Sequence, residues 1–477
     1  MKITGVFLMA ILALLSCKKN FLEREPISNM PSSAFYKTES DMQIALNSAY
    51  STLQSAGQYG EANWQVGEVR SDNTYNWEGA GNFPDAELDQ FKQTSSNSIL
   101  NTMWLDTYRG ILMCNIVLDR IVSVSMDDGI KKQFIAEALF LRSLMYFNLA
   151  RTFGAVPLVI HETVAVNEGY HQGREPVRKV YDQIIADLTI AAANLPTYFT
   201  GANVGRATQG AAKALLGKIL LTDGQYELSA SIFKEVIGSE TYHLLPEYAD
   251  LWKTTNANNP ESIFEVQYKK GGTGTGSAYT NFFAPHGSES IVSAVGFAYG
   301  KNLPTADLVA AYENGDIRKN ASLAESYTRD NQIIYDAYTL KYKDIPFTER
   351  DADNNWMVMR YADVLLMYAE AVNETNGGPD NDTYDAVNTV RQRAGLDALT
   401  NGMNKGEFAL AIEHERQVEL AFEGHRWFDL VRTGRALQVM NAHFDGSITI
   451  YPYQLLFPIP QRQININPTV IIQNEGY

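Results

Sequence analysis

The chain has 477 residues, 45% hydrophobic and 20% charged, enough apolar side chain to fill one large core or two to three smaller ones. A formal net charge of -16 argues against nucleic acid, whose phosphates need a basic face, and against adsorption to anionic lipid headgroups. With two cysteines, a disulfide framework shrinks to one bridge between Cys17 and Cys114 and a cysteine-rich metal site is excluded, while 26 Tyr against 7 His favour stacking over proton or metal chemistry.

The first predicted element is an apolar run from Gly5 to Leu15 behind Lys2, the charged n-region and h-region of a secretory signal. It is too short for a stable span, which needs about 20 residues. Leu14-Leu15-Ser16-Cys17 resembles the bacterial lipobox, in which cleavage leaves the cysteine to carry lipid. Several acyl chains, at about 0.8 kcal/mol per buried CH₂, would hold such a protein on a membrane. Residues 1–16 are thus expected to be a signal peptide, Cys17 the lipid attachment point and residues 17–477 one body; an ordinary cleaved signal or an uncut tail is the alternative. No second apolar stretch approaches spanning length. Cys114, within TYRGILMCNIVLDRIV, reads as a small buried thiol in a helix.

Ala- and Leu-rich helical stretches then alternate with long Gly-, Asn-, Ser- and Tyr-rich loops. In AEALFLRSLMYFNLAR, Phe140, Leu144 and Phe147 line one face and Leu141, Met145 and Leu149 its neighbour, so the helix is expected to be covered on more than one side. It should stop at Phe153-Gly154 and give way to an extended run with Pro157. KVYDQIIADLTIAAANLP is a further amphipathic helix. Residues 207–237 read as two helices around Asp223-Gly224-Gln225, and Leu216-Gly217, Gly224, Tyr226 and Phe233 look like a tetratricopeptide unit. Lys213 and Leu220 depart from that pattern, and its closing Pro is absent. RYADVLLMYAEAVNE and TYDAVNTVRQRAGL, parted by Gly377-Gly378-Pro379, form a second pair, and GEFALAIEHERQVELAFEGHRWFDLVR adds more helix. Such pairs imply a stack of repeats wrapped by irregular insertions at 57–97, 238–303 and 313–358, and loops of that length are usually functional.

Several of these stretches together resemble the SusD/RagB family of outer-membrane nutrient-binding lipoproteins: the lipobox with CKKNFLEREP, AEALFLRSLMYFNLARTFGAVPLV, MRYADVLLMYAEAVNE, VNTVRQRAGL, ERQVELAFEGHRWFDLVRTGRA and LLFPIPQRQININP, in that order. The resemblance implies a mostly α fold of tetratricopeptide-like pairs with loop insertions and a few short strands. A C-terminal helical region would cover about 359–477, and the ligand face would lie on the loops at about 57–97 and 238–358. It implies a lipid-anchored, cell-surface protein of the outer membrane, with a SusC-like TonB-dependent transporter as partner. Its ligand would be an oligosaccharide or polysaccharide, in some members a peptide, with no catalysis and no cofactor.

The C–H face of a pyranose lies flat on Trp or Tyr while its hydroxyls seek Asn, Asp, Arg or Lys. NWQVGEVRSDNTYNWEGAGNF supplies that mixture, so Trp77 or Tyr75 is expected as platform and Asp72 and Asn73 as hydrogen-bond partners, with Trp64 and Arg70 beside them. The competing reading is that Trp64 and Trp77 plug their loop onto the helices. Tyr279, Phe282 and Phe283 are second candidates in a glycine-rich loop where Gly274 and Gly276 would allow movement around a ligand, and Trp104 reads as core. In FEGHRWFDLVRTG, Arg426, Asp429 and Arg432 have surface ion-pair spacing and an architectural reading. His414-Glu415 begins like a zinc-protease HExxH, but Val418 stands where the second ligand belongs, so no metal is expected. A glycoside hydrolase would need two acidic side chains about 5 to 10 Å apart in a cleft.

Overall fold

The computed structural model describes residues 35–79, 83–165, 168 and 172–477. The signal segment and Cys17 lie outside the described residues. Helix α1 (Glu39–Ser51) starts at a reciprocal cap: Thr38 Oγ1 accepts from Asp41 N (3.2 Å), and Asp41 Oδ2 accepts from Thr38 N (3.0 Å). After a short α2 (Phe83–Asp89), α3 (Ser98–Arg120) and α4 (Asp128–Phe153) form a hairpin, each opened by a side-chain cap, from Asn97 and Asp127. Every residue of α4 from Ala136 to Ala150 is buried, because α3 covers one side and α5 (Val177–Asn194) the other, as the broad apolar face required. The helix ends at Gly154, whose φ of +74° a side chain would resist.

Helices α6 (Gln209–Thr222) and α7 (Tyr226–Gly238) are the expected tetratricopeptide-like pair. A Cβ at Gly217 would sit 2.6 Å from the Phe233 ring, so only glycine admits this close packing. The departures are absorbed locally: Lys213 pairs with Glu235 at 2.7 Å, and Leu220 is buried. The second pair, α8 (Tyr361–Asn376) and α9 (Asn381–Arg393), docks on α7, with α10 (Lys405–Glu419) against α8 and a short α11 (Arg426–Arg432) after it.

The strands are short and all antiparallel in pairs. They are β1 (Thr74–Tyr75) with β3 (Leu303–Pro304), β2 (Ser262–Val266) with β8 (Trp356–Arg360), β4 (Leu323–Ala324) with β7 (Tyr338–Thr339), and the hairpin β5 (Tyr327–Arg329) and β6 (Gln332–Ile334). One continuous buried cluster runs from Met42 on α1 to Ile471 near the end of the chain, and a small satellite core of Ala284, Val292, Ala298, Leu303, Tyr327 and Tyr338 lies under the loops. Cys114 is buried in the main core, and burial pushes its thiol up to about 12.

The FEGHRWFDLVRTG stretch is architectural, but its charges are interior, which corrects the surface ion-pair reading. Asp429 and Arg432 do pair (2.9 Å), yet their side chains are only 13% and 10% exposed, and Asp429 also takes Arg416 at 2.9 Å; Arg426, which is buried, turns instead to Asp72. Asp363 bridges Lys218 (2.9 Å) and Arg416 (2.8 Å), and these cations hold its carboxyl well below the usual range. Lys218 Nζ donates to His425 Nδ1 (3.0 Å), and burial together with that ammonium lowers the imidazole to about 3. The turn before α11 is closed by Glu68, whose carboxylate accepts from the backbone N–H of Phe422 (2.8 Å) and Gly424 (2.9 Å); burial raises it to about 7.

Candidate functional site

The first insertion does not drape over the surface. Its segment 62–74 is threaded through the interior, and six of the eight residues expected at the ligand face by sequence point inward. Trp64 is fully buried, packed on Phe282 and Phe283 at ring distances of 6.2 and 5.0 Å. Arg70 lies over the Phe91 ring (3.4 Å) and donates to the carbonyls of Leu88 (2.8 Å) and Gln454 (3.1 Å), with burial lowering the guanidinium to about 9. Asp72 is held by two bonds of 2.8 Å from Arg426. Asn73 donates to Glu68 (2.9 Å) and accepts from Gln417 (3.0 Å). Tyr279 is buried with its hydroxyl on Tyr59 O (2.8 Å), and Phe283 is buried beside it. All six are occupied by the fold, which rules them out as surface contacts. The glycine-rich loop is also pinned: Asp351 Oδ2 accepts from Gly271 N (3.1 Å) and Gly272 N (2.7 Å), and Gly276 abuts Asp351.

What reaches the surface follows from strand alternation. Along Thr74-Tyr75-Asn76-Trp77, Thr74 and Asn76 are buried while Tyr75 is 36% exposed and Trp77 half-buried, so the two aromatics share the outer side. β1 pairs with β3 and the ladder continues through Trp77 N to Gly300 O (2.7 Å). The Trp77 indole stacks on His286, 3.4 Å between centroids and 6° between planes. His286 meets Phe297 at 5.6 Å, Phe297 meets Tyr299 at 5.1 Å, and Tyr299 meets Phe282 at 5.3 Å. A ladder of rings thus climbs from the buried Trp64 and Phe282 to the surface, where Phe297 is 40% exposed.

β7 lies alongside, since Thr339 Oγ1 donates to Asn302 O (2.8 Å) and Asn302 N to Asn76 Oδ1 (3.1 Å). The preceding turn carries Tyr335, 83% exposed, and Asp336. Partial burial, then the charges of Asp336 and Asp89, raise the Tyr75 phenol above its ordinary value. Glu349 accepts from Tyr299 Oη (2.6 Å) and Phe297 N (3.4 Å). The face therefore offers flat apolar rings rimmed by carboxylates, the combination that stacks a sugar and takes its hydroxyl protons. His286, Phe297, Tyr299, Tyr335, Asp336 and Glu349 were not singled out from sequence. The signal for two of them was present, since Phe297-Ala298-Tyr299 repeats the alternation of Tyr75-Asn76-Trp77 with Ala298 fully buried. No group of three or more His, Cys, Asp or Glu suited to a metal occurs among the described residues, and no described helix is long and apolar enough to cross a membrane.

Two family models match the chain, that of the SusD family over residues 338–477 and one described as starch-binding, associating with outer membrane, over residues 20–221. A SusD-like protein of Formosa agariphila is 28% identical over 99% of this chain and 98% of its own length, and a SusD-like protein of Bacteroides ovatus is 26% identical over 88% and 80%. Among solved structures, a laminarin-binding SusD-like protein shares 28% identity at a TM-score of 0.80, covering 93% of this chain and all of its own. Surface glycan-binding protein A from Bacteroides fluxus shares 26% at the same TM-score, covering 92% and 100%. The two ends of the sequence match two SusD-type family models in order and the fold follows SusD-like structures nearly throughout, so the chain is similar to the SusD family along almost its whole length.

Proposed function

We propose that this chain is a non-catalytic surface glycan-binding lipoprotein of the outer membrane, anchored through Cys17, that captures an oligosaccharide or polysaccharide and passes it to a TonB-dependent transporter. The observation that carries the binding reading is the exposed aromatic face in which Trp77 and Phe297 belong to a ladder of rings rooted in the core, with Tyr75 on the same strand as Trp77 and Tyr335 beyond β6. Rings fixed from behind bind a sugar without paying the ordering entropy that mobile side chains would lose. The laminarin-binding relative supports a β-glucan as the first ligand to try. The match to a family described as associating with outer membrane, together with the lipobox, supports the location, and the transporter rests on the family resemblance alone.

The test is native affinity electrophoresis of the body after Cys17 in gels containing laminarin, starch, xylan or galactomannan, or a peptide digest. One glycan class should retard the protein without release of reducing ends. In that gel, Tyr75→Ala with Tyr335→Ala should weaken retention roughly tenfold, the worth of one or two stacked rings. Retention by the peptide digest alone, or a double variant that runs as wild type, overturns the assignment.

A further inference from the structure

A second exposed aromatic pair lies away from the Tyr75 face, in Tyr451-Pro452-Tyr453. Tyr451 is extended (φ -109°, ψ 155°) and Pro452 opens a tight turn through Leu455, so the rings of Tyr451 and Tyr453 stand in nearly parallel planes (12°) with centres 6.2 Å apart. They are 53% and 39% exposed.

The turn beneath them is rigid. Tyr451 N donates to Gln454 Oε1 (2.9 Å), and Gln454 Nε2 donates to Phe91 O (3.0 Å). Gly476, at φ +91°, packs on the Tyr453 ring, where a Cβ would come within 2.4 Å. Tyr477 meets that ring edge-on at 5.1 Å, and its hydroxyl donates to Leu456 O (2.9 Å) while accepting from Gln93 (2.9 Å). Packing of the chain end therefore accounts for Tyr453, whereas the Tyr451 ring touches no aromatic but Tyr453 among the described residues and faces water. Asp445, Ser447 and Thr449, all exposed on the loop that leads into it, bring hydroxyl and carboxylate groups to the same end of the molecule.

The two aromatic pairs sit on one rigid block. Asp89 at the end of α2 accepts from Asn76 N (3.1 Å), between Tyr75 and Trp77, and Arg70 ties Leu88 O on the same helix to Gln454 O in the tyrosine turn. Phe83, 71% exposed, begins α2. Their separation is therefore fixed by bonded backbone and not by a linker.

Resting on the glycan-binding reading, we propose that Tyr451, backed by Tyr453, is a second saccharide contact that holds a further stretch of the same neutral polysaccharide chain. The chemistry is the C–H face of a pyranose on a phenol ring. A fixed spacing between two weak contacts raises the local concentration of the second after the first has bound, so a polymer gains and a short oligosaccharide does not.

The experiment compares wild type, Tyr451→Ala, Tyr451→Phe and Tyr75→Ala, in gels containing whichever of laminarin, starch, xylan or galactomannan retards the wild type, and by calorimetry with a trisaccharide of the same linkage. Tyr451→Ala should weaken polymer retention roughly five- to tenfold and leave the trisaccharide affinity within about twofold, while Tyr451→Phe keeps both. Tyr75→Ala should lower both. If Tyr451→Ala is retained like wild type, or loses trisaccharide affinity in parallel with Tyr75→Ala, the second contact is overturned and the main face stands. A wild type retarded by none of the four polymers overturns both.

Discussion

Asp72 illustrates how far a residue's type is from its role. By composition it is a hydrogen-bonding neighbour of two surface aromatics; in the structure its carboxylate neutralises the buried Arg426 guanidinium on α11. Removing one member of such a pair strands the other charge, and Asp72→Ala should cost about 3 kcal/mol, the low end for a broken buried pair because Glu413 remains 3.9 Å away. Denaturant unfolding would register that loss, while the fraction that folds should bind glycan as wild type does. His425 gives a pH signature. Its folded value of about 3 lies below the ordinary 6.5, so the unfolded chain takes the proton first. The stability this group confers is whole above about pH 6.5 and drains away as pH falls toward 3. Unfolding of wild type against His425→Gln across that range should show a difference that is flat above pH 6.5 and shrinks below it.

At the scale of elements, helices were legible and insertions were not. The apolar periodicity of α4, the glycines that end α4 and α8 and the α6–α7 hairpin are local patterns with local causes, and each stands where the spacing put it. The segment 62–74 owes its burial to partners such as Phe422, Gly424 and Arg426, about 350 positions along the chain, and no window of neighbouring residues encodes that. Alternation was the readable part: it separates Tyr75 and Trp77 from Thr74 and Asn76 without any tertiary knowledge. The same strand pair makes Gly300 decisive. At φ +67°, with an added Cβ 2.8 Å from Trp77 Cβ and 3.1 Å from His286 Cβ, it permits the approach on which the ring stack depends. Gly300→Ala should lower stability by about 1–2 kcal/mol and weaken glycan retention more than that loss of fold explains, a split visible by running thermal unfolding beside the affinity gel.

For the molecule as a whole, one buried cluster joins α1 to the C-terminal segment, so the described residues share a continuous core. Charges inside that core are paired with one another. Arg318, Arg360 and Arg393 share Glu419 in the interior, and Glu261 and Glu423 complete the set around Arg360. Fold class and the family resemblance were readable because such architecture leaves many motifs in fixed order, whereas the candidate ligand face lies on loops whose exposure is decided by the whole. Cys114 turns this into a clock. In a chain that begins after Cys17 it is the sole sulfhydryl, interred in the main core and held protonated by its surroundings. Alkylating reagents would then modify native protein only as fast as the interior opens, and the slowing of that labelling under a bound ligand would report, without any spectroscopic tag, how much the ligand tightens the entire fold.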